Sequence, residues 1–228
     1  MNATKGSLFS RPLTSYSKVM AIVSRWRRGK QAQINRGDLP SRKFLDIGCG
    51  PNGGKDFVNL DYDWKPGVDV IWDITQGLPF EAGRFEGIYT EHCLEHIPLE
   101  ATDRLLAHCF RILKPGGVLR VIVPDGEIFI DGYRESTNNG NSRTLPYADH
   151  HAYQGIYTPI MTVNRIFREH GHLFIYDFCT MRQLMERNGF ESVKKEVFRN
   201  GRRTTLLRDS EHREHESLYV EASKPAAA

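Results

Sequence analysis

The stretch Phe44-Leu45-Asp46-Ile47-Gly48-Cys49-Gly50-Pro51-Asn52-Gly53-Gly54 decides the fold of this chain, together with Asp61 eleven residues beyond Gly50. Its apolar start predicts a buried parallel strand, and its glycines allow a sharp turn in which the backbone approaches a ligand closely. An acidic residue at the end of the next strand is placed to accept hydrogen bonds from ribose hydroxyls. The stretch therefore predicts an α/β protein with a nucleoside cofactor of undetermined kind.

The sequence downstream predicts more strands and two helices around one parallel sheet. Strands are expected at residues 43–47, 57–61, 68–72, 85–89 and 118–123, and two closing strands that pair as an antiparallel ribbon at 192–198 and 217–222. Apolar residues from 102 to 113 repeat at three and four, which predicts an amphipathic helix that Lys114-Pro115-Gly116-Gly117 ends. A second helix is expected at about 177–188, and the charged cluster at 202–216 is expected to be a solvated ribbon.

Residues 131–172 interrupt this alternation. They are rich in Asn, Gly, His and Tyr and show no steady hydrophobic period. A segment of this length inside one domain is more often a lid or a binding insert than an idle loop. We therefore expect a domain at 38–228 with a substrate insert at about 131–172.

The first 37 residues differ in charge from the rest of the chain. They contain eight Lys and Arg and no Asp or Glu, which gives them a charge of +8. Since the whole chain carries a net charge of +3, residues 38–228 carry −5. The mildly acidic body argues against a nucleic-acid partner. In residues 1–37 one helical face is apolar, and it consists of Tyr16, Val19, Met20, Val23 and Trp26. A basic amphipathic arm of this kind either packs on the body or contacts an anionic membrane.

Composition indicates a cytoplasmic enzyme, with peripheral contact at the inner face of a membrane as the alternative that the arm leaves open. No apolar run approaches the roughly 20 residues that cross a bilayer, and the start does not resemble an export signal. The four cysteines form no CxxC pair, which favours reduced thiols. The oligomeric state is not readable from these features.

From about Ser41 to Ala222 the order of motifs resembles the class I S-adenosylmethionine-dependent methyltransferases. Within them the chain is similar to a small group often found with glycan and surface-polysaccharide genes. The most specific match is Arg111-Ile112-Leu113-Lys114-Pro115-Gly116-Gly117 leading into Val121-Ile122-Val123-Pro124-Asp125. Other matches are Leu45-Asp46-Ile47-Gly48-Cys49-Gly50, Asn59-Leu60-Asp61 and Glu91-His92-Cys93-Leu94-Glu95-His96.

The resemblance implies a Rossmann-like seven-stranded sheet, mostly parallel with its last strand antiparallel, and helices on both faces. In one respect the chain departs from the usual pattern: only eleven positions separate Gly50 from Asp61, which predicts a short first crossover. It also implies S-adenosylmethionine at the carboxyl ends of strands one to four. Gly48 and Gly50 would approach its methionine and ribose portion in the turn that begins at Asp46, and Asp61 would bind the ribose hydroxyls. Asp73 and Ile74 would flank the adenine, and Glu91 and His92 would lie beside the amino-acid end and the sulfonium.

The same turn also matches GxGxxG, a fingerprint of nicotinamide dinucleotide sites. An NAD-dependent oxidoreductase is disfavoured because Pro51, Gly53 and Gly54 oppose the helix whose N-terminus binds the pyrophosphate. The distance from the turn to Asp61 is also short of the usual 20 or so residues. A protein that binds the cofactor without turnover stays open as a further alternative.

The acceptor is expected to be a small or medium molecule. The first candidate is a sugar or glycan intermediate that is methylated on oxygen. A natural product, a lipid or a protein are the other acceptors considered. Methyl transfer needs a base only when the nucleophile must lose its proton, and His172, His151 and Asp125 are the residues predicted for that role. His92 and His96 lie four residues apart, but no third ligand has an obvious spacing, so no metal is predicted.

Overall fold

A seven-stranded sheet forms the centre of the computed structural model, which describes Ile22, Trp26 and residues 39–139, 145–148 and 153–226. The strands are β1 (Phe44–Ile47), β2 (Phe57–Asp61), β3 (Val70–Ile71), β4 (Phe85–Glu91), β5 (Leu113–Pro124), β6 (Glu191–Glu196) and β7 (Ser217–Ser223). Their order is β3-β2-β1-β4-β5-β7-β6. β7 runs antiparallel to both β5 and β6, whereas β1 to β5 pair in parallel. The predicted mostly parallel sheet with an antiparallel last strand is confirmed.

Four α-helices accompany the sheet between residues 99 and 187, in the described part of that range. They are α1 (Leu99–Ile112), α2 (Gly126–Asn139), α3 (Pro159–Arg168) and α4 (Phe178–Arg187). The stripe of α1 that includes Leu105 and Cys109 packs with Met181 and Met185 of α4 into the main core, on one face of the sheet. Alternate residues of the strands, Tyr89 and Ile122 among them, form a second cluster with Leu206. Since successive strand residues point to opposite faces, this cluster covers the other face.

The first crossover is short, as the sequence predicted. No helix lies between Ile47 and Phe57; the chain returns through turns instead. The amides of Gly48 and Cys49 donate to the carbonyl of Leu60, at 2.8 and 3.1 Å. The glycine turn is therefore fixed directly against the end of β2, where Asp61 follows.

The region at 131–172 contains regular structure that hydrophobic periodicity did not reveal. α2 extends to Asn139, and α3 lies within the region. The buried positions of α2 are Gly126, Phe129, Gly132 and Ser136, and a Cβ on Gly132 would lie 2.8 Å from Leu145 Cδ2. Because only Phe129 among these four carries a large apolar side chain, the buried stripe of the helix does not appear in the hydrophobic periodicity of the sequence. That this region acts as a substrate lid stays a prediction.

The N-terminal arm at 1–37 lies outside the described residues, except for Ile22 and Trp26, so its packing or membrane contact stays a prediction. Among the described residues, no helix is both long and apolar enough to span a bilayer.

Candidate functional site

The glycine turn lies at the carboxyl edge of the sheet and is shaped by close contacts. Gly48 has a φ of +73°, and a Cβ there would lie 2.5 Å from Cys93 Sγ. Gly50 has a φ of +56°, but a Cβ there would meet nothing within 4 Å. The first glycine therefore allows close packing on the segment after β4, whereas the second borders open space that a ligand can enter.

Asp61 closes this turn from the end of β2. Its Oδ2 accepts a hydrogen bond from the amide of Gly50 at 2.8 Å, and its Oδ1 accepts one from the amide of Asp63 at 2.9 Å. Each carboxylate oxygen has two lone pairs, so the group keeps acceptor capacity for two hydroxyls. The side chain is held in place before any ligand arrives.

A cavity of about 580 Å³, here called the Asp61 cavity, lies beside this carboxylate. Asp73 and Ile74, the two residues expected beside the adenine, line it next to Trp72, and their role there stays a prediction. Asp73 also caps the short helix after β3, because its Oδ1 accepts from the amide of Thr75 at 3.0 Å. Asp73 therefore caps this short helix and lines the Asp61 cavity at the same time.

A smaller cavity of about 220 Å³, here called the Arg208 cavity, lies on the other side of the turn. Its walls carry both signs of charge: Asp46 and Glu91 on the strand ends, and Arg208 and Arg213 from the chain before β7. Arg208 Nη1 donates to Asp46 Oδ2 at 2.6 Å. Burial raises the pKa of Asp46 to about 6, although Arg208 opposes that shift. A zwitterionic ligand would find a partner for each of its charges here.

The expectation of a solvated ribbon at 202–216 was wrong. Residues 199–216, here called the strap, cross the carboxyl edge of the sheet and bring Arg208, Ser210 and Arg213 into the cavities. Ser210 donates from its amide and its hydroxyl to the two oxygens of Glu91, at 2.8 and 2.6 Å.

A buried arginine of the sheet anchors the strap. Arg120 of β5 is fully buried, and so are its partners Asp209 and Glu221. Its Nε donates to Asp209 Oδ1 at 2.8 Å and its Nη1 to Glu221 Oε1 at 2.9 Å, and Nη2 also donates to Asp209. The carbonyls of Val197 and Asn200 accept the remaining bonds. A charged run that pairs inward in this way cannot be told from a solvated one by its composition.

The direction of β7 in the sheet predicts where the strap lies. Because β7 is antiparallel, its first residue Ser217 pairs with Pro124, the last residue of β5. The chain that enters β7 must therefore lie at the same edge as the carboxyl ends of the parallel strands. An antiparallel last strand thus places the segment before it at the ligand-binding edge.

His92 lies where three cavities meet. It lines both of these cavities and a third, and its φ of +46° is unusual for a residue with a side chain. Arg213 Nη1 donates to its Nδ1 at 2.6 Å, so the ring proton is on Nε2, which lies 2.8 Å from Ser217 Oγ. Burial, reinforced by the charge of Arg213, lowers the pKa of His92 to about 4. Its ring is neutral and fully hydrogen-bonded, which suits positioning rather than proton removal.

The third cavity, here called the polar cavity, has a volume of about 680 Å³. Its lining combines histidines, ion-pairing side chains and two aromatic rings. The residues include His92, His96, His172, Arg165, Glu169, Glu216, Phe129 and Tyr147. The size and polarity suit a small hydrophilic molecule better than an acyl chain.

The three residues predicted as bases fall in different places. His172 lines the polar cavity, and its Nδ1 lies 2.7 Å from the carbonyl of Ile166. Burial lowers its pKa, so the ring is neutral near pH 7. His151 lies outside the described residues. Asp125 lines none of the three cavities; its carboxylate pairs with Lys195 at 3.1 Å and accepts from the amide of Glu127.

Comparison with known proteins assigns the family. Residues 23–195 match the family described as "Methyltransferase domain", which covers most of the chain. The chain belongs to this family and, with the strand order above, is an S-adenosylmethionine-dependent methyltransferase domain of class I. S-adenosylmethionine is the methyl donor of such domains, and the predicted cofactor is confirmed at this level.

Individual relatives are distant. A Mycolicibacterium smegmatis protein named "Probable S-adenosylmethionine-dependent methyltransferase" is 28% identical over 47% of this chain. The match covers 48% of that protein, so this chain spans about half the length of the curated relative it matches.

Two solved structures show a similar chain course. One is a SAM-dependent methyltransferase from Thermotoga maritima, described as a "possible histamine N-methyltransferase", with a TM-score of 0.49 and 18% identity. That match covers 92% of this chain and 94% of the other. The second is Haemonchus contortus phosphoethanolamine N-methyltransferase 2, with a TM-score of 0.47 and 15% identity over 92% of this chain and 53% of the other. Family membership rests on the domain match.

Proposed function

We propose that this chain methylates a small polar acceptor with S-adenosylmethionine as donor, and that the acceptor atom is a hydroxyl oxygen of a sugar or glycan intermediate. The observation that carries the proposal is the position of His92, which lines the two cavities flanking the glycine turn and also the polar cavity. A donor in the first two and an acceptor in the third would meet beside this residue.

The described residues fit the donor. The Asp61 cavity offers a pre-positioned carboxylate for the ribose, with Asp73 and Ile74 beside the adenine. In the Arg208 cavity, Asp46 or Glu91 would pair with the ammonium group, and Arg208 would pair with the carboxylate. When bound, the donor supplies a methyl group already activated by its sulfonium.

The chain's own residues then align the donor with the acceptor and take up the proton that the acceptor loses. In the transfer, the acceptor oxygen would bond to the methyl carbon as the carbon–sulfur bond breaks and its electron pair goes to sulfur. The hydroxyl proton would pass to the neutral imidazole of His172. Fixing both reactants in line supplies much of the rate. His172 faces the acceptor as a neutral imidazole that accepts a proton or a cation.

A lipid acceptor is the less favourable alternative for this cavity. Arg165, Glu169, Arg213 and Glu216 place two ion pairs in its lining, Arg165–Glu169 at 2.7 Å and Arg213–Glu216 at 3.6 Å. Covering such pairs with an acyl chain would remove their water without new hydrogen bonds.

Donor binding is the first test. Asp61→Ala removes two charge-assisted hydrogen bonds worth about 1.5–3 kcal/mol each, so affinity for S-adenosylhomocysteine should fall at least about 100-fold. The matched control is Asp56→Ala, an exposed aspartate of the same crossover that lines none of the three cavities. Equal affinity of the two variants by titration calorimetry would show that the ribose site is misplaced.

Acceptor identity is the second test. The chain is incubated with tritiated methyl donor and a panel of sugars, nucleotide sugars, small amines and lipids, and the products are mapped by mass spectrometry. We expect label on a sugar hydroxyl. Label confined to amines or lipids would contradict the acceptor assignment, and tight donor binding with no transfer to any acceptor would favour a non-catalytic binding protein.

A further inference from the structure

Glu95 is a buried carboxylate without a hydrogen-bond partner. The residue is fully buried, and neither of its carboxylate oxygens has a hydrogen-bond partner in the described part of the chain. The nearest basic groups are two imidazoles, His92 Nδ1 at 3.4 Å and His96 Nε2 at 3.8 Å from Oε1. A buried carboxylate in such a place must be neutralised by a proton or by a cation.

Two histidines converge on this carboxylate from distant parts of the sequence. Ligand atoms of Glu95, His96 and His172 all lie within 4.8 Å of one another. The rings of His96 and His172 are 5.0 Å apart. Two imidazoles and a carboxylate are a donor set typical of zinc and of other divalent transition metals, with further positions left open.

His172 is oriented as metal-binding histidines are. Ligand histidines usually donate their second ring nitrogen to a carbonyl or carboxylate. His172 Nδ1 lies 2.7 Å from the carbonyl of Ile166, which leaves Nε2 with a free lone pair.

The backbone locks the two halves of the cluster together. The amides of Leu173 and Phe174 donate to the carbonyl of Glu95, at 2.7 and 3.3 Å. His172, 77 residues beyond Glu95 in sequence, is thereby held against the Glu95–His96 turn. This long-range contact supplies the third ligand that sequence spacing did not reveal.

We propose that Glu95, His96 and His172 form a binding site for one divalent transition-metal ion of the Zn²⁺ type, at the wall of the polar cavity. Zinc bonds of about 2.0–2.2 Å place tetrahedral ligand atoms roughly 3.4 Å apart. The ligand atoms, which lie within 4.8 Å of one another, would therefore approach by up to about 1.4 Å on binding. All three residues line the polar cavity, and His96 also lines the Asp61 cavity. The ion therefore lies between donor and acceptor.

The role of the ion in the reaction rests on the proposed function, but its binding does not. Open positions of the ion would take acceptor oxygens, and the positive charge would make an acceptor hydroxyl more acidic. With the ion bound, His172 would hold it instead of removing the proton, and the proton of the acidified hydroxyl would pass to water.

The test measures the ion directly. Chain without a histidine tag is stripped with chelator and titrated with Zn²⁺ by calorimetry and with Co²⁺ by visible absorption. We expect one ion per chain, and at least about tenfold weaker binding in Glu95→Gln and in His172→Gln. The matched control is His108→Gln, which removes a histidine of α1 that lines none of the three cavities. This variant should bind the ion as the parent does.

The results separate this proposal from the proposed function. No stoichiometric binding, or binding unaffected in Glu95→Gln and His172→Gln alike, would overturn the metal site and favour a protonated Glu95. Titration with S-adenosylhomocysteine shows that each variant is folded. Stoichiometric Zn²⁺ that depends on both residues supports the site even if no sugar is methylated, in which case only the proposed function fails.

Discussion

Replacement of Arg120 by Met should destabilise the chain strongly and also weaken donor binding. The guanidinium of Arg120 is bonded to Asp209 and Glu221, and all three side chains are buried. Burial lowers the pKa of Arg120, but the bonds and charges of these two carboxylates outweigh it and raise the pKa overall. A methionine at this position would leave both carboxylates buried without a counter-charge.

The loss of this counter-charge sets the expected decrease in the free energy of unfolding. Breaking one partner out of a buried ion pair costs about 3–5 kcal/mol. For a domain of this length each kcal/mol lowers the midpoint of thermal unfolding by about 2–4 °C, which predicts a decrease of about 6–20 °C. Arg208 and Ser210 flank Asp209 in the strap, so a loosened strap should also reduce affinity for S-adenosylhomocysteine.

The assay is urea unfolding at pH 7.5, followed by tryptophan fluorescence, with calorimetric titration of the donor product. The control is Arg104→Met, an exposed arginine on α1 for which a change within about 0.5 kcal/mol is expected. If Arg120→Met lowers the free energy of unfolding no more than Arg104→Met does, the strap is not held by this ion-pair network and the predicted cost is wrong.

Two further predictions concern the glycine turn. Asp46, with its pKa raised to about 6, keeps near pH 6 a proton that an unfolded chain has released, so its contribution to stability falls as pH rises from about 4 to 6. Binding of the donor ammonium beside Asp46 should expel that proton. Calorimetric titration at pH 6, in buffers of different ionisation enthalpy, should therefore report release of about half a proton in the parent and none in Asp46→Asn. Equal proton release in both would refute the pairing of Asp46 with the ammonium group. Gly48→Ala should cost more free energy of unfolding than Gly83→Ala, because both have positive φ but only the Gly48 Cβ would meet Cys93. Equal losses in urea titrations would mean that the contact with Cys93 relaxes without cost.

The sheet and the glycine turn were predictable because local rules determine them. The run from Phe44 to Ile47 is short and apolar, and Pro51, Gly53 and Gly54 exclude a helix in the first crossover. The continuous apolar run at 118–123 likewise indicates a strand buried on both faces. In each case the residues that form the element also carry the signal.

The strap and the Glu95 cluster could not be predicted in the same way. Arg208 lies opposite Asp46, 162 residues away in sequence. His172 is brought to Glu95 by the backbone contacts of the two residues that follow it, Leu173 and Phe174. Charged side chains show the same composition whether they pair inward or face water. Tertiary contact alone distinguishes the two, so these parts of the site needed the folded structure.

The proposed methyl transfer depends on a donor that lies across the glycine turn with its methyl group facing the polar cavity. A crystal structure with bound S-adenosylhomocysteine would show that placement. We expect both ribose hydroxyls within hydrogen-bond distance of the Asp61 carboxylate, and the sulfur beside His92 at the mouth of the polar cavity. A ribose that binds elsewhere, or a sulfur that faces away from the polar cavity, would contradict it.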